Sequence, residues 1–154
     1  MDAETRRYVR AAWKAVEQTS GVRFNWDFWE ACEPSRSTYP ACRAVLTAEA
    51  LQAGKGAVLF DRIQEAYYTQ ARNPSDLEEL VLLGQDAGLD GDDFRRAMAS
   101  PEIEALLQAD FGLRRELGVH AFPTLVLDTG SERHVLTSGY SDAEQVLGRL
   151  AELG

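Results

Sequence analysis

Cysteine, histidine and positive charge are all scarce in these 154 residues, and each shortage removes a class of function. The two cysteines, Cys32 and Cys42, have nine residues between them, which is not the Cys-x-x-Cys spacing of a redox pair. Only two histidines exist, His120 and His134, both distant along the chain from the sulfurs, so no zinc set is legible and no metal site is expected. Lys and Arg number 16 against 25 Asp and Glu, a net charge of −9. Counterion release on a polyanion needs clustered cations, so neither nucleic acid nor an anionic membrane is an expected partner. No apolar run approaches the roughly twenty residues of a membrane span. The residues Met1-Asp2-Ala3-Glu4-Thr5-Arg6-Arg7 open a charged amphipathic helix and do not read as a signal peptide, so a cytoplasmic location is expected.

What is present is a globular chain, 45% hydrophobic and long enough to bury one ordinary core. From Ala3 to about Gln18, Tyr8, Val9, Ala12, Trp13 and Val16 recur at helical spacing, with Asp2 as a cap and Gly21 past the end. Phe24, Trp26, Phe28 and Trp29 crowd four rings into six positions, which predicts an irregular or short helical segment pinned to a core. A base-stacking platform would need a basic stripe beside it, and the flanks are acidic. Pro40 suits a first helical turn, and a helix over Ala41–Ala53 ends at Gly54. The next runs from about Gly56 to Arg72 with Val58, Leu59, Ile63, Ala66 and Tyr67 inward, and Asn73-Pro74 stops it. Ser75 with Glu78 forms a capping-box pattern for a helix to Ala87, closed by Gly88. Asp90 caps a short helix through Met98, and Ser100-Pro101-Glu102 starts another that reaches Leu117. Ser141 with Glu144 repeats the capping-box signal, and Val146, Leu147, Leu150 and Leu153 give the last helix an apolar stripe.

Between these helices lies one hairpin. Gly118 to Asp128 is a turn running into a short apolar strand, and Arg133-His134-Val135-Leu136-Thr137 is its partner across Thr129-Gly130-Ser131-Glu132. Two strands make no lasting sheet in water. Everything before residue 118 reads as helix, so the remainder of the sheet is expected either from a segment N-terminal to Met1 or from another chain.

Few residues suggest chemistry. Bends at Pro34 and Pro40 would let Cys32 and Cys42 meet in a disulfide, but two buried thiols are the expected state in a chain without a secretory signal. His120 lies in the turn before the first strand and His134 on the second, neither with a Ser or Cys nucleophile in context. Asp92-Asp93, Glu78-Glu79 and Asp86 sit on capped helices, where acidic side chains favour the N-terminal end or solvent. Gly54 and Gly56 flank a lysine without a preceding strand, so they make no phosphate loop. No catalytic residue and no cofactor is read from the chain. Phe122-Pro123-Thr124 remains, and a proline at a strand start is ordinary, with most such bonds trans.

The set Arg36-Ser37-Thr38-Tyr39-Pro40-Ala41-Cys42-Arg43-Ala44, Ile63-Gln64-Glu65-Ala66-Tyr67-Tyr68, Gly88-Leu89-Asp90 before Phe94, and Leu117 to Leu127 resembles the DsbA family of thiol-disulfide oxidoreductases. The resemblance runs over nearly the whole chain. It implies an α/β, mostly helical fold: residues 1–117 as the helical domain inserted in such proteins, and residues 118–154 as the strand-strand-helix half of a thioredoxin fold. It also implies that Pro123 takes the place of the cis-proline beside the active site, and that the backbone of Phe122 pairs with an extended protein or peptide substrate. The family's Cys-x-x-Cys, and the serine of related glutathione enzymes, have no counterpart here, and Met1 resembles an internal position of a longer member. The chain as given is therefore expected to be redox-inactive. Two alternatives stand beside it: a non-enzymatic binding module, dimeric through the exposed sheet edge, and a relative of the kappa-type glutathione transferases and isomerases.

Overall fold

The computed structural model describes residues 2–33 and 37–153. Met1, Pro34 and Arg36, which entered the reading above, lie outside the described residues. The chain divides into two compact units, Met1–Leu107 and Gln108–Gly154.

The first unit is helical. Helix α1 (Ala3–Ser20) starts where the Asp2 carboxylate accepts from Thr5 N–H and ends at Gly21, whose left-handed φ of 74° lets its N–H return to the Glu17 carbonyl. Of the apolar positions expected inward only Trp13 is buried; Tyr8 and Val16 are exposed. A four-residue helix α2 (Phe28–Ala31) follows, as the crowded aromatics predict. Helices α3 (Tyr39–Leu51) and α4 (Lys55–Gln70) pack on each other and are joined through Glu49. Its carboxylate accepts from Gly54 and Gly56 N–H at 3.0 Å, replacing the cap that no side chain supplies at the start of α4. Gly54 thus opens α4 and does not close α3, which stops at Gln52. A β-carbon at Gly56 would lie 3.2 Å from the Val45 carbonyl oxygen, so glycine is what lets the two backbones approach.

Helices α5 (Leu77–Asp86), α6 (Gly91–Met98) and α7 (Pro101–Glu116) complete the helical series. The cap of α5 is Asp76, accepting from Glu78 N–H, and not Ser75. Ser75 Oγ instead donates to the Ser37 carbonyl, a contact across 38 residues that local pattern cannot disclose. Asp90 caps α6 as expected, accepting from both Asp92 and Asp93 N–H. The core of this unit is Ala44, Ala48, Leu59, Ile63, Ala66, Leu80, Val81, Leu83, Phe94 and Met98. Each fully buried Leu or Phe contributes about 1.5–3 kcal/mol relative to exposure. Val58, expected inward, is exposed on α4. A second cluster gathers Trp13, Phe28, Trp29 and Cys32, with Phe24, Trp26, Tyr67 and Tyr68 packed around it. The rings are therefore core anchors, with Trp13 stacked on Phe24 at 4.8 Å and edge-on to Phe28 at 5.2 Å.

The second unit holds the hairpin. Strands β1 (Thr124–Asp128) and β2 (Arg133–Ser138) pair antiparallel, from Asp128 opposite Arg133 to Thr124 opposite Ser138. The register shifts between Leu125 and Val126, leaving Leu136 as the extra residue of a bulge. The final helix α8 (Ala143–Ala151) is capped by a box of Asp142 and Gln145, one residue beyond the Ser141 and Glu144 read from sequence. Arg149 Nη1 donates to the Leu136 carbonyl at the bulge, which ties α8 to β2. No residue of α8 is fully buried, and Leu147 of the expected apolar stripe is 64% exposed.

Candidate substrate-docking site

The segment before β1 is held by its own polar groups. Gly118, with φ of 65°, ends the helical run, and its N–H and that of Val119 return to the carbonyls of Arg115 and Arg114. Arg114 Nη1 then donates to the Val119 carbonyl at 3.0 Å, so one side chain of α7 fixes the chain as it leaves the helix. Thr124 Oγ1 donates to the Ala121 carbonyl at 2.7 Å and closes the turn over Phe122 and Pro123. The Pro123 carbonyl accepts from Gly139 N–H at 2.7 Å, anchoring the same turn to the end of β2. The Phe122–Pro123 peptide bond is cis.

This hydrogen-bonded turn presents an exposed side chain. Phe122 is 76% exposed, and Leu125 and Val135 on the hairpin are exposed too. Among the described residues β1 pairs only with β2, so its other edge carries unpaired backbone groups. Backbone N–H and C=O along such an edge, next to an apolar ring, are what an extended peptide needs for strand addition.

The hairpin's charged end is separate from this edge. Arg133 bridges Asp128 at 2.9 Å and Glu116 at 2.6 Å. The Asp128 carboxyl is held below its usual range, first by Gly130 N–H and then by Arg133. His134 is half-buried with Nε2 3.3 Å from Glu132, and His120 is exposed. Among the described residues no group of three or more His, Cys, Asp or Glu is arranged to hold a metal ion.

The cysteines differ from the expectation of two buried thiols. Cys32 is buried beside the aromatic cluster, and its thiol is pushed above the ordinary range by that burial and then by Glu79. Cys42 is exposed, because it falls on the outward face of α3 while Ala44, Thr47 and Ala48 face the core. Both are free. The residues that sequence reading missed are Arg114 and Gly139, which position the turn together with Thr124 of the Phe122-Pro123-Thr124 segment. A threonine after X-Pro is a signal for a side-chain-closed turn, but nothing local marks Arg114.

A family model described as thioredoxin matches residues 7–146. The chain is 28% identical to a protein assigned as a disulfide isomerase from Nitrosomonas europaea, with a TM-score of 0.88 over 99% of this chain and 74% of that one. It is also 28% identical to the cytosolic disulfide reductase DsbM from Pseudomonas aeruginosa, at a TM-score of 0.73 over 99% of this chain and 74% of that one. A second DsbM structure, with GSH, aligns at 0.69 over 90% and 67%. Among curated proteins it resembles the ClpXP adapter protein SpxH of Bacillus subtilis, 30% identical over 74% of this chain and 38% of that protein. The SpxH of Halalkalibacterium halodurans is 27% identical over 90% of this chain and 45% of its own length. The chain thus spans less than half the length of the curated relatives it matches.

Proposed function

From its membership of the thioredoxin family, with a mostly helical fold of the DsbA type, we propose that this chain is the substrate-docking and helical portion of a thiol-disulfide exchange system. Residues 1–117 serve as the helical insertion and residues 118–154 as the strand-strand-helix part. The turn at Phe122 and Pro123 and the open edge of β1 receive an extended protein substrate, the ring of Phe122 covering an apolar side chain while backbone groups pair. The observation that carries this reading is the fold likeness to two disulfide enzymes over 99% of the chain. A cytosolic setting, as for DsbM, fits it.

Exchange itself proceeds by attack of a thiolate on a disulfide sulfur, and a resolving thiol then displaces the first. The 154 residues contain no cysteine pair at that spacing, and the environment of Cys32 disfavours thiolate. Taken alone, then, the chain docks substrate without turning it over. The test pairs two measurements on it. A cysteine-containing extended peptide is expected to bind by calorimetry and to lose about tenfold in affinity with Phe122→Ala, a loss of roughly 1.4 kcal/mol. Insulin reduction by dithiothreitol is expected to run at its uncatalysed rate. Catalysis abolished by Cys32→Ser or Cys42→Ser would overturn the assignment.

A second reading is a non-enzymatic binding module, favoured by the adapter role named for SpxH and by the lack of a redox pair in this chain. In that case the β1 edge is covered by a second copy. Sedimentation across a dilution series is then expected to show a dimer that Leu125→Lys weakens, because a charge on an edge strand opposes pairing. A monomer at all concentrations excludes it.

A further inference from the structure

We propose that the outer face of α1 is a docking surface for a short acidic segment of a partner protein, a role separate from the hairpin site. Arg7, Arg10 and Lys14 follow the i, i+3, i+7 spacing that places side chains on one helix face, all three are exposed, and Glu17 one turn on closes the basic stretch. Neither Arg7 nor Lys14 has a hydrogen bond or an ion pair with another described residue. The guanidinium of Arg10 lies 5.9 Å from the centroid of the Trp26 ring, so the middle charge of the stripe is steadied over a half-buried indole.

The stripe stands out against the rest of the chain. Residues 1–23 hold five basic and three acidic side chains, a net +2, whereas residues 24–154 hold 11 and 22, a net −11. That contrast selects the occupant. Seven helical residues separate Arg7 from Lys14, about 10.5 Å of rise. An extended peptide advances about 3.3 Å per residue with successive side chains on opposite faces, so about four residues of an acidic run cover the stripe and alternate carboxylates face it. A long polyanion such as nucleic acid would run beyond the stripe onto a chain of its own sign, while a short acidic run would not.

The probe is a fluorescein-labelled peptide of four glutamates, titrated with the full chain and read by anisotropy. Saturable binding is expected, weakening about tenfold as sodium chloride rises from about 50 to about 200 mM. The double variant Arg7→Glu/Lys14→Glu should lose at least about tenfold in affinity with an unchanged urea midpoint, since both side chains are exposed and make no hydrogen bond or ion pair with another described residue. Arg115→Glu, on α7, should bind as the parent does. Equal binding by the double variant, or equal binding of a peptide with lysine in place of glutamate, overturns the proposal. Tighter binding of a single-stranded oligonucleotide than of the peptide, lost in the same double variant, overturns the choice of occupant.

Discussion

Arg43 Nη2 donates to the carbonyl oxygen of Ser100 across 2.9 Å, tying α3 to the joint between α6 and α7. The same guanidinium reaches the Met98 carbonyl through Nε and the Glu104 carboxylate through Nη1, and Glu104 also accepts from the Tyr39 hydroxyl. One planar fork thereby satisfies three acceptors on two neighbouring segments. A lysine has the charge without the fork. Arg43→Lys is expected to cost about 2 kcal/mol, seen as a lower urea midpoint with unchanged slope. A midpoint equal to the parent's would show that the fork is dispensable.

Gly84 on α5 faces the ring of Phe94 on α6, and a β-carbon there would come within 3.3 Å of it. Phe94 is fully buried and has no space into which to retreat. Although alanine is the better helix former by about 1 kcal/mol, overpacking costs about 1–3 kcal/mol, so Gly84→Ala should destabilise. Thermal or urea unfolding decides the sign, and a gain in stability would contradict the packing described.

The two thiols should separate kinetically. With Cys42 exposed and Cys32 buried, a disulfide reagent added to the native chain is expected to titrate one thiol quickly, and Cys42→Ser should remove that phase. The Cys32 thiol should appear only as denaturant opens the aromatic cluster. Fast labelling of both in the native chain would place Cys32 at the surface.

Stability should fall on the alkaline side. Tyr67 is pushed up to about 12 from an ordinary 10.0, chiefly by burial, then by Tyr68 and Cys32. The unfolded phenol ionises before the folded one. Its contribution is therefore whole below about pH 10 and lost as pH climbs toward about 12. Urea midpoints measured from pH 9 to 11.5 (about two and a half units) should drop more steeply for the parent than for Tyr67→Phe. Parallel slopes would remove Tyr67 as the cause.

Much of the helical architecture was legible because caps and stops are local chemistry: Asp2, Asp90, Gly21 and Asn73-Pro74 act within a turn of themselves. The errors fell where two candidate caps are adjacent. Ser75 and Asp76, or Ser141 and Asp142, are equivalent on paper, and the choice went to the residue with extended backbone just before the helix, Asp76 and Asp142. Facing was less legible than location. On α1 the spacing predicts a full apolar stripe, yet only Trp13 is buried, because the aromatic cluster engages that ring with Val9 packed partly against it and leaves Tyr8 and Val16 in solvent. At the candidate site, Phe122 and Pro123 were visible through family likeness, whereas the bonds holding the turn come from Arg114 and Gly139, at distances along the chain that no periodicity encodes.

The aromatic cluster decides what can be watched. All three tryptophans of the chain, Trp13, Trp26 and Trp29, belong to it, with Trp13 5.6 Å from Trp29 and 6.3 Å from Trp26. Indoles this close exchange excitation and answer light as one chromophore, and that chromophore belongs wholly to the unit Met1–Leu107. An experimenter following tryptophan emission would see the helices and be blind to the hairpin. A label on Phe122→Cys, in a chain already carrying Cys42→Ser, would give the second unit a signal of its own.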